Sequence, residues 1–259
     1  MWQLAPAELA HELRLATEEV GDATCIACGA PTTMLNRAIG VGVDRPATDD
    51  DLGAITSFFA KRETRFAIPV APGAQPDSLE DRLLERGFER GYAWMKFRRG
   101  TDDSGEVSTD LRIEEIGPER GDHFGLVVAE AFGLPPMFGR LWVRVAGEPG
   151  WHCFVGYADG EPAATGALYV EGSIGWLGAA GTRARFRGRG GQNAVLATRI
   201  AAAKRLGVEV LVTETGERLP DRPSASYRNI LRAGFEEAYL RPSYELDTKR
   251  DRPHTGSVP

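Results

Sequence analysis

The chain has 259 residues, 42% of them hydrophobic, with 31 basic against 37 acidic side chains, a net charge of −6 and an isoelectric point near 5.4. That length exceeds one typical domain, and that apolar content can supply more than one core. The acidity argues against a nucleic-acid binder, which presents a basic surface, no apolar run reaches membrane-spanning length, and three cysteines make no disulfide framework. The opening Met-Trp-Gln-Leu-Ala-Pro-Ala-Glu lacks the basic stretch that begins a signal peptide. A cytoplasmic protein with no membrane or nucleic-acid partner is expected.

Cys25 and Cys28 sit in the strand-like run Ala-Thr-Cys-Ile-Ala-Cys-Gly. No second Cys or His pair follows at ligand spacing, and a redox pair would open a helix. Both, and Cys153, are expected as packed core residues with no metal. Residues 34–43 then read as a strand, 49–61 as a helix, 65–70 as a strand, 77–86 as a helix stopped at Gly87-Phe88, and 92–98 as a strand. Residues 99–110 are a polar linker.

Beyond the linker, residues 131–142 are apolar and aromatic, with Arg140 the only charge. Residues 151–158 and 163–170 read as strands joined by the hairpin signal Asp159-Gly160. Residues 174–182 give another strand. The helix 192–206 puts Leu196, Ile200 and Ala203 on one face, with Arg199 and Arg205 elsewhere, and stops at Gly207. Residues 208–215 form a β-branched strand, 224–233 a helix stopped by Gly234-Phe235, and 239–246 a last strand. A polar, proline-containing tail at 248–259 is expected to be disordered. The run 83–92 echoes 230–239 around the Gly-Phe pair, and Ala60-Lys61-Arg62 echoes Ala203-Lys204-Arg205 before the next strand. The chain therefore reads as two copies of one order of elements.

Residues 185–191 are Arg-Phe-Arg-Gly-Arg-Gly-Gly, between a strand and a helix. Glycines let backbone N–H groups converge, the helix turns its positive end to the same spot, and Arg185, Arg187 and Arg189 add permanent charge. Such a turn suits a pyrophosphate. A dinucleotide fingerprint would need glycine where Asn193 stands, and the Gly-Lys-Ser/Thr of a Walker loop is absent.

The pattern R-x-x-G-x-G, as Arg185, Gly188 and Gly190, resembles the acyl-coenzyme A loop of the GNAT (GCN5-related) N-acetyltransferases, and the flanking elements are similar over about residues 108–247. The resemblance implies an α+β fold, a mixed central sheet flanked by helices, in two tandem copies. It implies a degenerate domain at 1–98 and a catalytic domain at 111–247, because Asp44-Arg-Pro-Ala-Thr-Asp-Asp-Asp stands in the first copy where the loop should be, without glycines and with charge that repels phosphate. It implies acetyl-coenzyme A as co-substrate. The residues to hold it would be Ala179, Ala180 and Thr182 on the strand that carries the acyl-pantetheine arm, Arg185, Arg187, Gly188, Arg189, Gly190, Gly191 and Gln192 in the loop, and Asn229. The partner would be a small-molecule or peptide amine, and the protein a monomer or homodimer.

The family's chemistry is direct acyl transfer, which needs a base for the amine proton. Glu214 and Glu217, at the end of the strand after the loop helix, are the candidates. Many members place a tyrosine, as acid for the departing thiolate, four residues before the Gly-Phe pair; here that position is Ile230. Ser226 matches the serine of the ribosomal-protein acetyltransferases, whose Asn-x-x-Ser has Pro223 for its asparagine here, and Tyr227 is the neighbouring alternative. The apolar 131–142 segment corresponds to the acceptor lid and suits an apolar acceptor or a longer acyl group, with His152 near it. The other readings are a non-catalytic acyl-coenzyme A binding or sensing protein and a dimeric interaction scaffold.

Overall fold

The computed structural model describes residues 2–105, 107–219 and 224–248. Its elements are, in order, α1 (Ala7–Glu12), β1 (Ala16–Val20), β2 (Ala23–Ala27), β3 (Arg37–Ile39), α2 (Asp49–Ala60), β4 (Arg65–Pro69), α3 (Leu79–Glu85), β5 (Glu89–Arg90), β6 (Trp94–Arg99), β7 (Arg112–Ile116), α4 (Gly121–Ala131), α5 (Pro136–Val143), β8 (Trp151–Ala158), β9 (Glu161–Glu171), β10 (Ile174–Thr182), α6 (Gly191–Arg205), β11 (Val210–Gly216), α7 (Ala225–Arg232), β12 (Glu236–Arg241) and β13 (Ser243–Asp247). The expected tail at 248–259 lies, but for Thr248, outside the described residues, as does Pro223.

The chain divides into two compact units. An N-terminal unit is built from Ala7–Trp94 together with the segment from Leu240 through β13, and a C-terminal unit from Gln3–Pro6 and Met95–Tyr239. The N-terminal unit has a six-stranded sheet in the order β1-β2-β3-β4-β13-β5. Its core gathers Leu52, Ile55, Phe58 and Phe59 of α2 against Phe66, Ile68, Leu83 and Phe88, with Tyr244 and Leu246 of β13. Those four α2 side chains recur at helical spacing, which is why this stretch is a helix with one buried face.

The C-terminal unit has a seven-stranded sheet in the order β12-β6-β11-β10-β9-β8-β7. One cluster, with Leu168, Leu177 and Leu211, packs on Val195, Leu196 and Ile200 of α6 and on Tyr227 and Ile230 of α7. A second, with Cys153, Val155 and Ala167, packs on Phe124 and Val128 of α4. The Asp159-Gly160 hairpin joins β8 to β9 with both residues at positive φ, as a tight primed turn requires.

Two expectations need correction. The strand expected at 34–43 is only Arg37–Ile39. Its first residues are taken up by the fully buried Asn36, whose side chain accepts from Cys28 N–H and donates to the carbonyls of Ala30 and Thr32, and Gly40 and Gly42 at positive φ end it. The last strand of each sequence copy also lies in the other unit's sheet. Residues of 92–98 form β6, between β11 and β12, with Phe97 buried in the C-terminal core. The run expected at 239–246 breaks at Pro242, which lacks a ladder donor, and β13 pairs antiparallel with β4 and β5. Local pattern reads a strand but not the sheet it joins. Neither 1–98 nor 111–247 is thus a self-contained unit.

Candidate active site

The site lies where β10 and β11 part. They pair in parallel from Ile174↔Val210 to Leu177↔Thr213, and no further. On its other side β10 pairs with β9 through Gly178↔Ala167, slips, and resumes at Gly181↔Thr165. Ala179 and Ala180 thus stand opposite the single residue Gly166, a β-bulge, and Ala179 takes a φ of 49°. The Thr165 hydroxyl donates to the Ala179 carbonyl at 3.1 Å.

Beyond the bulge a cavity of about 650 Å³ opens. Ala180, Gly181 and Thr182 form one wall, and Arg187, Gly188, Gly190, Gly191, Gln192 and Asn193 the turn into α6. Ser226 and Asn229 of α7 close one side, and Ala131 of α4 with the following Phe132 another. The Thr182 hydroxyl is buried with no partner among the described residues, and Asn229 donates to Gln192 across the two helices at 2.9 Å.

The turn reaches α6 through Gly188 and Gly190, at φ 82° and 75°. A Cβ at Gly188 would meet nothing, whereas one at Gly190 would stand 2.4 Å from the Ser108 carbonyl oxygen. The linker braces the loop there, since the Thr109 hydroxyl donates to the Arg189 carbonyl at 2.7 Å. Among the described residues no side chain caps the N-terminus of the 15-residue α6, so its first N–H groups have no internal acceptor, and Gly191, Gln192 and Asn193, which carry them, line the cavity. The corresponding α2 is closed. Thr48 accepts from Asp51 N–H, Asp51 accepts from Thr48 N–H, Asp49, Asp50 and Asp51 fill the first turn, and Arg45 pairs with Asp51 at 2.9 Å.

The three loop arginines part company. Arg187 lines the cavity. Arg185 pairs with Glu161 and lies over the Phe186 ring. Arg189 is gripped by Asp110, its Nε 3.0 and 2.9 Å from the two carboxylate oxygens, and this hydrogen bond above all holds the Asp110 carboxyl below its ordinary range. A fourth, Arg183, is 8% exposed and forks onto Glu130 at 2.7 and 3.0 Å.

The catalytic candidates separate too. Ser226 lines the cavity. Tyr227 does not: its ring is buried edge-on to Phe97 and its hydroxyl donates to Glu237 at 2.5 Å. Burial, then the Glu237 bond, push its pKa up to about 12. Glu214 pairs with Lys96 of β6, both half-buried, and neither Glu214 nor Glu217 is among the cavity-lining residues. Ile230 is buried in the core. His152 contacts Glu115 at 2.7 Å on β7. In the apolar segment 131–142, Phe138 and Leu141 are buried, and α4 and α5 cross closely at Gly125 and Gly139, where a Cβ on either would meet the other's carbonyl oxygen, at 2.4 and 2.7 Å. Cys25, Cys28 and Cys153 are free, buried thiols, burial pushing Cys25 and Cys153 up to about 12. Among the described residues no three His, Cys, Asp or Glu side chains gather as a metal site requires, and no helix is long and apolar enough to cross a membrane. Sequence reasoning missed the buried Arg199 beneath the bulge, which periodicity had set apart from the helix's apolar face.

No family model and no curated protein matches this chain. Solved structures do. A GCN5-related N-acetyltransferase from Kribbella flavida superposes with a TM-score of 0.64 at 19% identity, over 94% of each chain. One from Sphaerobacter thermophilus gives 0.65 at 15% identity, over 89% of this chain and 82% of its own. A tandem GNAT protein from the clavulanic acid biosynthesis pathway gives 0.60 at 15% identity, over 94% and 88%. The chain has the GCN5-related N-acetyltransferase fold, in the tandem arrangement.

Proposed function

We propose that the chain is an N-acyltransferase that moves an acetyl or other acyl group from acyl-coenzyme A to a primary amine, and that its C-terminal unit alone binds the donor. The observation that carries this reading is the contrast between two corresponding helices. The α6 N-terminus is uncapped and opens through Gly188 and Gly190 onto the cavity, whereas α2 spends its first turn on its own Thr48 and Asp51. Free N–H groups, a helix end and Arg187 suit a pyrophosphate, and the unpartnered Thr182 hydroxyl suits a polar arm running along β10.

The amine nitrogen attacks the thioester carbon, the C–S bond breaks, the nitrogen loses a proton and the thiolate gains one. Ser226 is the group to hydrogen-bond the departing thiolate, whose modest basicity makes a strong acid unnecessary. Glu214 or Glu217 takes the amine proton through water. A small-molecule or peptide amine fits this chemistry, and the apolar lid favours an apolar acceptor or a longer acyl group.

A second reading, an acyl-coenzyme A binding protein without turnover, is favoured by Ile230 at the usual tyrosine position and by Tyr227 facing Glu237. Thiol release from acetyl-coenzyme A, measured against polyamines, amino acids, aminoglycosides, arylamines and peptide N-termini, decides between them. Amine-dependent release supports the enzyme; tight binding without release from any class supports the second reading.

A further inference from the structure

Arg199 is the charged side chain that the proposed chemistry leaves unused. It is 2% exposed, on the α6 helix beneath the β10 bulge. Its Nη1 donates to the carbonyls of Ala167 at 3.0 Å and Gly178 at 3.2 Å, and its Nε to Val195 one turn back at 3.3 Å. No carboxylate pairs with it among the described residues, and burial alone lowers its pKa to about 9, so it stays charged at neutral pH. Burying a cation in this way is unfavourable, and an apolar side chain of similar length would fill the space without that cost. What arginine adds is donors. Ala167 and Gly178 are the last partners before the ladder slips, and a bulge disrupts the ladder that would otherwise satisfy such carbonyls.

The sequence makes room for this group. Gly166 is the single residue opposite the bulge, and a Cβ there would stand 2.6 Å from Arg199 Cζ and 2.7 Å from its Nε. Thr165, 1% exposed, ties the next carbonyl, that of Ala179. Both carbonyls of the strained step are therefore held by side chains, and the strand runs on directly into Ala180, Gly181 and Thr182 on the cavity wall.

We propose that Arg199 is a positioning residue which, with Thr165 and in the space left by Gly166, latches the β10 bulge and so fixes the cavity wall at Ala180–Thr182. Its consequence for acyl transfer rests on the function proposed above; the latch itself does not.

Backbone amide exchange in the full-length, ligand-free protein tests the latch. Arg199→Met removes the donors at similar length, Gly166→Ala expels the guanidinium while keeping it in the chain, and Arg199→Lys keeps charge with a single donor group. Exchange over residues 178–182 is expected to quicken at least tenfold in the first two variants and less in the third, with β7 and β8 at wild-type rates. Unchanged rates at 178–182 in both Arg199→Met and Gly166→Ala overturn the proposal. So does an even rise across the whole C-terminal sheet, the mark of a merely structural residue. If Arg199→Met does not fold, Gly166→Ala and Arg199→Lys decide alone. With an amine acceptor in hand, Arg199→Met should lower kcat at least tenfold while coenzyme A affinity stays within threefold, and wild-type kcat overturns the catalytic consequence. A wild type without turnover bears on the proposed function, leaving the exchange result to judge the latch.

Discussion

Replacing Arg187 with alanine separates a phosphate-binding loop from a merely basic turn. Of the three arginines in the loop, Arg187 lines the cavity, while Arg185 is paired with Glu161 and Arg189 with Asp110. A hydrogen bond to a charged group contributes about 1.5–3 kcal/mol. Arg187→Ala should therefore weaken acetyl-coenzyme A binding about tenfold to a hundredfold. Arg185→Ala and Arg189→Ala break exposed, solvent-screened ion pairs and remove no group from the cavity wall, so each should cost less than about fivefold. Titration calorimetry of the three variants at one fixed ionic strength measures this directly, because exposed charges are screened. Wild-type affinity in Arg187→Ala, or equal losses in all three, would refute the assignment of the loop.

Ser226→Ala should lower turnover about tenfold to a hundredfold, whereas Tyr227→Phe should leave turnover unchanged and lower the melting temperature, since its hydroxyl serves Glu237; steady-state rates and thermal melts of the pair check both. Glu214→Gln and Glu217→Gln should differ, the true base losing about a hundredfold or more at neutral pH with donor affinity spared, and full turnover in both would move the base elsewhere. Tyr227 and Tyr244 have folded-state pKa values raised to about 12, so the stability they add is full below about pH 10 and is lost as pH rises through 12; phenolate absorbance should show a late ionising phase that a Tyr227→Phe/Tyr244→Phe double variant lacks. Fragments 1–98 and 111–259 should each fail to melt cooperatively, because the first lacks β13 between β4 and β5, with Tyr244 and Leu246, and the second lacks β6 with Phe97; a cooperative melt of either fragment alone counts against the strand assignment.

The cavity loop was legible because its information is local. Glycines at positive φ, an uncapped helix start and clustered arginines lie within a few residues, and Asp159-Gly160 announced its hairpin in the same way. The acidic turn before α2 was equally plain, and in the structure Asp51 caps the helix's own first turn while Asp49 pairs with Arg86. What stayed hidden depends on partners far along the chain. Which carboxylates claim Arg185 and Arg189 is set by Glu161 and Asp110, 24 and 79 residues away. The direction of the Tyr227 hydroxyl is set by Glu237, and the sheet that accepts β6 or β13 by pairings no local pattern encodes. Arg199 breaks the helical hydrophobic pattern as a surface residue would. The one hint of its burial was Gly166 inside a strand, a place where glycine marks a bulge or a close approach.

The number of acetyl-coenzyme A molecules bound per chain tests the central claim most directly. Calorimetric titration of the full-length protein should give a stoichiometry of one, lost or strongly weakened in Arg187→Ala and untouched by Thr48→Ala at the capped start of α2. A stoichiometry of two, or a single site that Arg187→Ala leaves at full affinity, would contradict an account in which the C-terminal unit alone holds the acyl donor.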